Sequence, residues 1–108
     1  MYRLLYSIDF YYDIIDIYEF YEIELLAPAV ANDFVEGLLE KLENLKTTPF
    51  AWGLIKDIDL AALQYRSLIY GKHLVIFRID EPNGEIQLIR TLHGASDYIS
   101  VIKEDLEH

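Results

Sequence analysis

Residues 64–93 read QYRSLIYGKHLVIFRIDEPNGEIQLIRTLH. Three short runs within it are rich in β-branched and aromatic residues, which suit a pleated and half-buried surface. Between the runs stand Gly71-Lys72, which fits a two-residue hairpin turn, and Glu81-Pro82-Asn83-Gly84, a strong turn signal. The stretch is therefore predicted to be a three-stranded antiparallel meander.

Upstream of the meander, residues 50–63 form a connection that holds the only tryptophan, Trp52, with a short helical turn predicted around Leu60-Ala61-Ala62-Leu63. Before it, Val30, Phe34, Val35, Leu38, Leu42 and Leu45 recur at helical spacing, so a helix is predicted over about 29–46. Pro28 suits its first turn and Pro49 ends it. A further helix is predicted over about 9–26, with Ser7 or Asp9 as its cap and a core stripe of Phe10, Ile14, Ile17, Tyr18, Tyr21 and Leu25. The short link at Leu26-Ala27-Pro28 makes the two helices an antiparallel hairpin. Residues 2–8 are predicted as a first strand, and about 97–104 as a last helical turn. Strand, helical hairpin and meander together give an α+β domain with the hairpin on one face of one small antiparallel sheet.

The first helix is unusual. Asp9, Asp13, Asp16 and Glu24 occupy the side opposite its core stripe, but Tyr12, Phe20 and Ile23 project there too, with Ile15 and Leu26 at the border. Leaving such side chains exposed forgoes roughly 1.5–3 kcal/mol each relative to burial. Tyr12, Ile15, Phe20 and Ile23 are therefore the candidate interface.

The 108 residues suffice for one domain with one core, predicted over 1–105, and 53% hydrophobic content excludes disorder as a class. Leu106-Glu107-His108 is expected to be the remnant of a purification tag. No apolar run reaches the roughly 18–20 residues of a membrane span, and no signal-peptide pattern is present. Without cysteine there is no disulfide and no thiolate metal site, which fits a cytoplasmic location. No metal set and no cofactor motif stands out. A formal charge of −10 repels phosphate, so nucleic acid is an unfavoured partner, although Arg66, Lys72, Arg78 and Arg90 gather on the meander.

The chain resembles the RelE/ParE superfamily of small bacterial toxins from about Tyr2 to Ile102. The resemblance rests on the Leu-x-Tyr-Ser entry to the first helix and the Leu45-x-x-x-Pro49 exit from the second. Arg66 ahead of Gly71, the Phe77-Arg78-Ile79 strand, and the ending Arg90-Thr-Leu-His93-Gly-x-x-Asp97-Tyr98 complete it. That ending is closer to the ParE and plasmid-stabilisation branch. The resemblance implies a toxin that poisons DNA gyrase by binding it, or, in RelE-like members, one that cuts mRNA in the ribosome. It also implies an antitoxin whose apolar segment wraps the toxin.

Under the nuclease reading the resemblance singles out Arg66, His73, Arg90 and His93. Cations stabilise a pentacoordinate phosphate and imidazoles move protons. The departures lie after His93, where Gly94-Ala95-Ser96 stand in place of the arginine or lysine common among relatives. Each candidate has a plainer reading: a structural His93, a solvated His73, and arginines paired with carboxylates such as Asp80 and Asp97. The unusual helix and the missing cations also fit an engineered or inactivated scaffold that self-associates through the first helix without enzymatic activity.

Overall fold

The computed structural model describes residues 1–107, so His108 of the expected tag remnant lies outside the described residues. The chain runs β1 (Arg3–Tyr6), α1 (Ile8–Glu19), α2 (Pro28–Leu45), α3 (Ile58–Ala62), β2 (Arg66–Tyr70), β3 (His73–Asp80), β4 (Glu85–His93) and α4 (Tyr98–Leu106). This is the predicted α+β order, and the strands form one sheet in the order β1-β4-β3-β2. Tyr70 stands opposite His73 across the Gly71-Lys72 turn, and Asp80 opposite Glu85 across the second. Gly71 and Gly84 have φ of +58° and +64°, which glycine adopts without steric cost.

The sheet is mixed and not antiparallel throughout as expected, because β1 joins β4 in parallel, from Arg3 opposite Glu85 to Tyr6 opposite Leu88. Parallel strands need a long crossover, and everything from α1 to β3 supplies it. Beyond Leu88 the pairing of β3 with β4 slips: Ile76 faces Arg90 but Phe77 faces Leu88, so Ile89 is the extra residue of a bulge.

The sheet is covered on both faces. Phe10, Phe34, Leu38 and Leu42 from the hairpin pack on Leu68, Val75, Phe77, Ile86 and Leu88. On the other side Leu60 of α3 and Ile102 of α4 join Ile55, Tyr65 and Ile76 in a second cluster. Asp57 caps α3 by accepting the Leu60 N–H at 3.2 Å, and Asp97 caps α4 by accepting that of Ser100 at 3.3 Å.

Of the two predicted caps of α1, Ser7 is the one used. Its Oγ accepts the Phe10 N–H at 3.0 Å and donates to the Ile89 carbonyl at 2.7 Å, pinning the helix start to the bulge. The predicted continuous helix over 9–26 is interrupted, because Phe20–Glu24 is a π-helical turn. The Leu25 N–H donates to Phe20 O at 3.1 Å, five residues back. One extra residue in a turn rotates the succeeding residues about 100° out of phase with an α-helix. Leu25, expected in the core stripe, is consequently 54% exposed. Leu26 then closes the link at φ +49°.

In α2 the buried residues Ala31, Phe34, Leu38, Leu42 and Leu45 keep helical spacing, while Val30, predicted in the stripe, is exposed. Gly37 lies where the Tyr70 hydroxyl crosses the helix to donate to the Phe34 carbonyl at 2.9 Å, and a Cβ there would collide with that hydroxyl.

Candidate functional site

The four residues singled out for phosphate chemistry lie in three places. His73 and His93 are direct partners across β3 and β4, with rings 5.8 Å apart at 75°. His73 also stands edge-on to Phe34 at 5.3 Å. Burial lowers its proton affinity below the ordinary histidine value, and His93 and Lys72 lower it further. His93 is exposed, and its Nδ1 accepts the Ala95 N–H at 3.1 Å, which fixes Nδ1 as an acceptor. Both imidazoles line a cleft of about 380 Å³ with Lys72, Asp16, Ile17, Phe20 and Tyr21, so the π-helical turn forms one wall.

Arg90 lies elsewhere, where β1 has ended and the edge of β4 is open. Its Nε and Nη2 donate to the two carboxylate oxygens of Asp13 at 2.8 and 3.0 Å, and its Nη1 donates to Asp105 at 2.7 Å. The Asp13 hydrogen bonds raise the guanidinium pKa above its ordinary value, burial opposes them, and Asp105 adds to the rise. The partners are not Asp80 and Asp97, the carboxylates considered from the sequence. Asp80 instead accepts from the Asn83 amide at 2.8 Å, and Asp97 from the Ser100 hydroxyl at 2.8 Å. Asp13, expected on the solvent side of α1, is turned inward, with its side chain 13% exposed.

Arg66 opens β2 opposite Phe77, four positions along the strand from Tyr70 and its partner His73. At the strand rise this is about 13 Å. Its Nη1 donates to the Trp52 carbonyl at 2.7 Å and its guanidinium lies 5.0 Å from the centre of the Phe50 ring. Arg66 borders a separate cleft of about 450 Å³ shared with Arg78, Gln64 and Glu81. The two-residue turn at Gly71-Lys72 sets Arg66 opposite Phe77, so Arg78, the next residue, stems from the other face of the sheet. The two arginines border one cleft only because β2 begins at Arg66 and leaves the edge of β3 open beyond it. Among the described residues no group of three His, Asp or Glu is placed to hold a metal ion. No described helix is long and apolar enough to cross a membrane.

Of the candidate interface residues, Tyr12 (55%), Phe20 (46%) and Ile23 (60%) are exposed. Ile15 is half-buried. Phe20 and Ile23 line a shallow groove with Asp16, Glu19 and Glu24. Alongside, Phe10, Tyr11, Ile14, Leu38 and Leu39 border an apolar groove between α1 and α2.

The sequence profile of the ParE toxin of type II toxin–antitoxin systems, parDE, matches residues 4–98. No curated protein matches the chain. Among solved structures, the chromosomal ParDE toxin–antitoxin system of P. aeruginosa superposes with a TM-score of 0.68 at 22% identity, over 86% of this chain and 96% of that one. The RelBE2 toxin–antitoxin complex of Mycobacterium tuberculosis gives 0.56 at 16% identity, over 85% and 96%. The YoeB/ParE toxin of Agrobacterium tumefaciens gives 0.56 at 25% identity, over 84% and 96%. With the family profile spanning nearly the whole fold, the chain belongs to the ParE toxin family of type II toxin–antitoxin systems.

Proposed function

We propose that the chain acts as a toxin by binding DNA gyrase, without catalysis of its own, and is neutralised by an antitoxin segment laid along the helical hairpin. The observation that carries this reading is the engagement of Arg90 by Asp13 and Asp105, away from Arg66 and from the two histidines. Transition-state stabilisation in RNA cleavage needs free cations converging on one phosphate. The net charge of −10 and the cation-free Gly94-Ala95-Ser96 weigh against ribosomal mRNA in the same direction.

The exposed Tyr12, Phe20 and Ile23 favour a covering partner. Apart from Asp13, which is turned inward onto Arg90, the stretch from Ile8 to Glu24 carries Asp9, Asp16, Glu19, Glu22 and Glu24 with no basic residue. Two copies joined there about a two-fold axis would bring like charges together, so an antitoxin segment is the better occupant than a second chain.

Purified chain added to gyrase tests the target. Inhibited supercoiling, together with growth arrest on induction that survives Arg66→Ala and His93→Ala, is the expected result. Untouched supercoiling with transcripts cut on ribosomes would overturn the reading.

A further inference from the structure

We infer, independently of the gyrase reading, that the cleft between Arg66 and Arg78 binds a single oxyanion group, a carboxylate or a phosphate monoester, through the two guanidinium groups. Charge is out of balance in this chain, which has 19 acidic and 9 lysine or arginine residues. Arg3, Lys46, Arg90 and Lys103 each hold at least one carboxylate. Among the described residues Lys41, Lys56, Arg66, Lys72 and Arg78 form no ion pair, and of these five Arg66 and Arg78 alone border one cleft of about 450 Å³.

Both groups are held in place without being neutralised. Arg66 rests on the Phe50 ring and donates once, to the Trp52 carbonyl at 2.7 Å. The Arg78 guanidinium lies 5.3 Å from the centre of the Tyr65 ring, and its Nε is shut off from solvent without a partner. Rings that fix the planes of two guanidiniums reduce the ordering a ligand must impose, and a planar fork suits the oxygens of a carboxylate or phosphate. The neighbouring carboxylate of Asp80 accepts from the Asn83 amide at 2.8 Å within the second turn. The lining carries Asp80 and Glu81 as well, so an oxyanion would be held by direct hydrogen bonds from the two guanidiniums and not by a net positive field.

The space exists because β2 begins at Arg66, opposite Phe77, and leaves β3 without that neighbour from Arg78 onward. Asp80 and Glu81 in the lining, with the net charge of −10, repel a strand of phosphates more than a single anionic group.

The test monitors backbone amide resonances of residues 64–67 and 77–80 while isotope-labelled chain is titrated at constant ionic strength. The probes are inorganic phosphate and, separately, N-acetylglutamate amide. Saturable shifts confined to those residues are expected with at least one probe. Saturation by phosphate alone points to a free phosphate compound, and saturation by the glutamate probe to an acidic side chain of a protein. Arg66→Gln and Arg78→Gln should each weaken binding about tenfold, and Lys72→Gln should leave it unchanged. Arg78→Lys, which keeps the charge, covers the case in which the glutamine variant does not fold, and should weaken binding by less. Three outcomes would overturn the inference: no saturable shift with either probe, equal affinity in Arg78→Lys and Arg66→Gln, or tighter binding of a single-stranded oligonucleotide than of phosphate.

Discussion

Asp13 and Arg90 form a two-pronged ion pair, at 2.8 and 3.0 Å, that joins α1 to the open edge of β4. The same Asp13 oxygen that accepts from Arg90 Nε also accepts the Thr91 N–H at 2.9 Å. β1 stops opposite Leu88, so without Asp13 that backbone donor would have no strand beside it. Asp13→Ala removes all three bonds and leaves Arg90 with Asp105 alone. We expect a loss of about 2–4 kcal/mol by urea denaturation, with less lost in Asp13→Leu combined with Arg90→Met. An Asp13→Ala variant as stable as the parent would refute the anchoring role.

Gly37 and Tyr70 test the packing of hairpin on sheet. Alanine at 37 would gain helix propensity of up to about 1 kcal/mol but collide with the Tyr70 hydroxyl. Net destabilisation of about 1–3 kcal/mol is expected, as for other overpacked sites. In a Tyr70→Phe background the penalty should shrink, since the colliding oxygen is gone. A double-mutant cycle reads the coupling; additivity within error would count against the contact.

His73 makes stability depend on pH. Burial first, then His93 and Lys72, hold its folded proton affinity below the ordinary value of 6.5. The unfolded chain therefore takes up this proton first as pH falls, and stability rises with pH wherever the unfolded state binds more protons. The contribution is complete above 6.5 and is lost as pH drops through and below that value. Thermal melts between about pH 5.5 and 7.5 should show a fall toward acid that His73→Gln flattens. An identical slope in both proteins would assign the effect to other groups.

The exposed patch on α1 and the π-helical turn carries the partner reading. Phe20→Glu with Ile23→Lys should leave stability within about 0.5 kcal/mol, as at other exposed sites. The parent chain should scatter light as a monomer. A parent dimer that the double variant splits would give the patch to a second copy instead.

The meander, both turns and the helical hairpin were legible because each rests on local chemistry: β-branched runs, glycine turns and one clean helical stripe. The π-helical turn was not, since Phe20–Glu24 contains no residue that demands an extra backbone step, and so Leu25 was placed on the wrong side. The inward turn of Asp13 is not legible, because helical phase reports direction but not what lies there. Its partner stands 77 positions away. The cover on the second sheet face was hidden for a related reason: α3 and α4 are too short for periodicity to show which side is buried. Arg66, His73, Arg90 and His93 were legible as chemistry but not as geometry, since their separation depends on register.

The parallel pairing of β1 with β4 also governs when the toxin exists at all. A chain emerging from the ribosome presents β1 first, yet the strand that receives it begins only at Glu85. Contacts between such distant segments form late, after the cost of closing the intervening loop. Synthesis thus carries its own delay. Everything from β1 to β3 leaves the ribosome with the sheet unfinished, and the domain is completed only once β4 has been made.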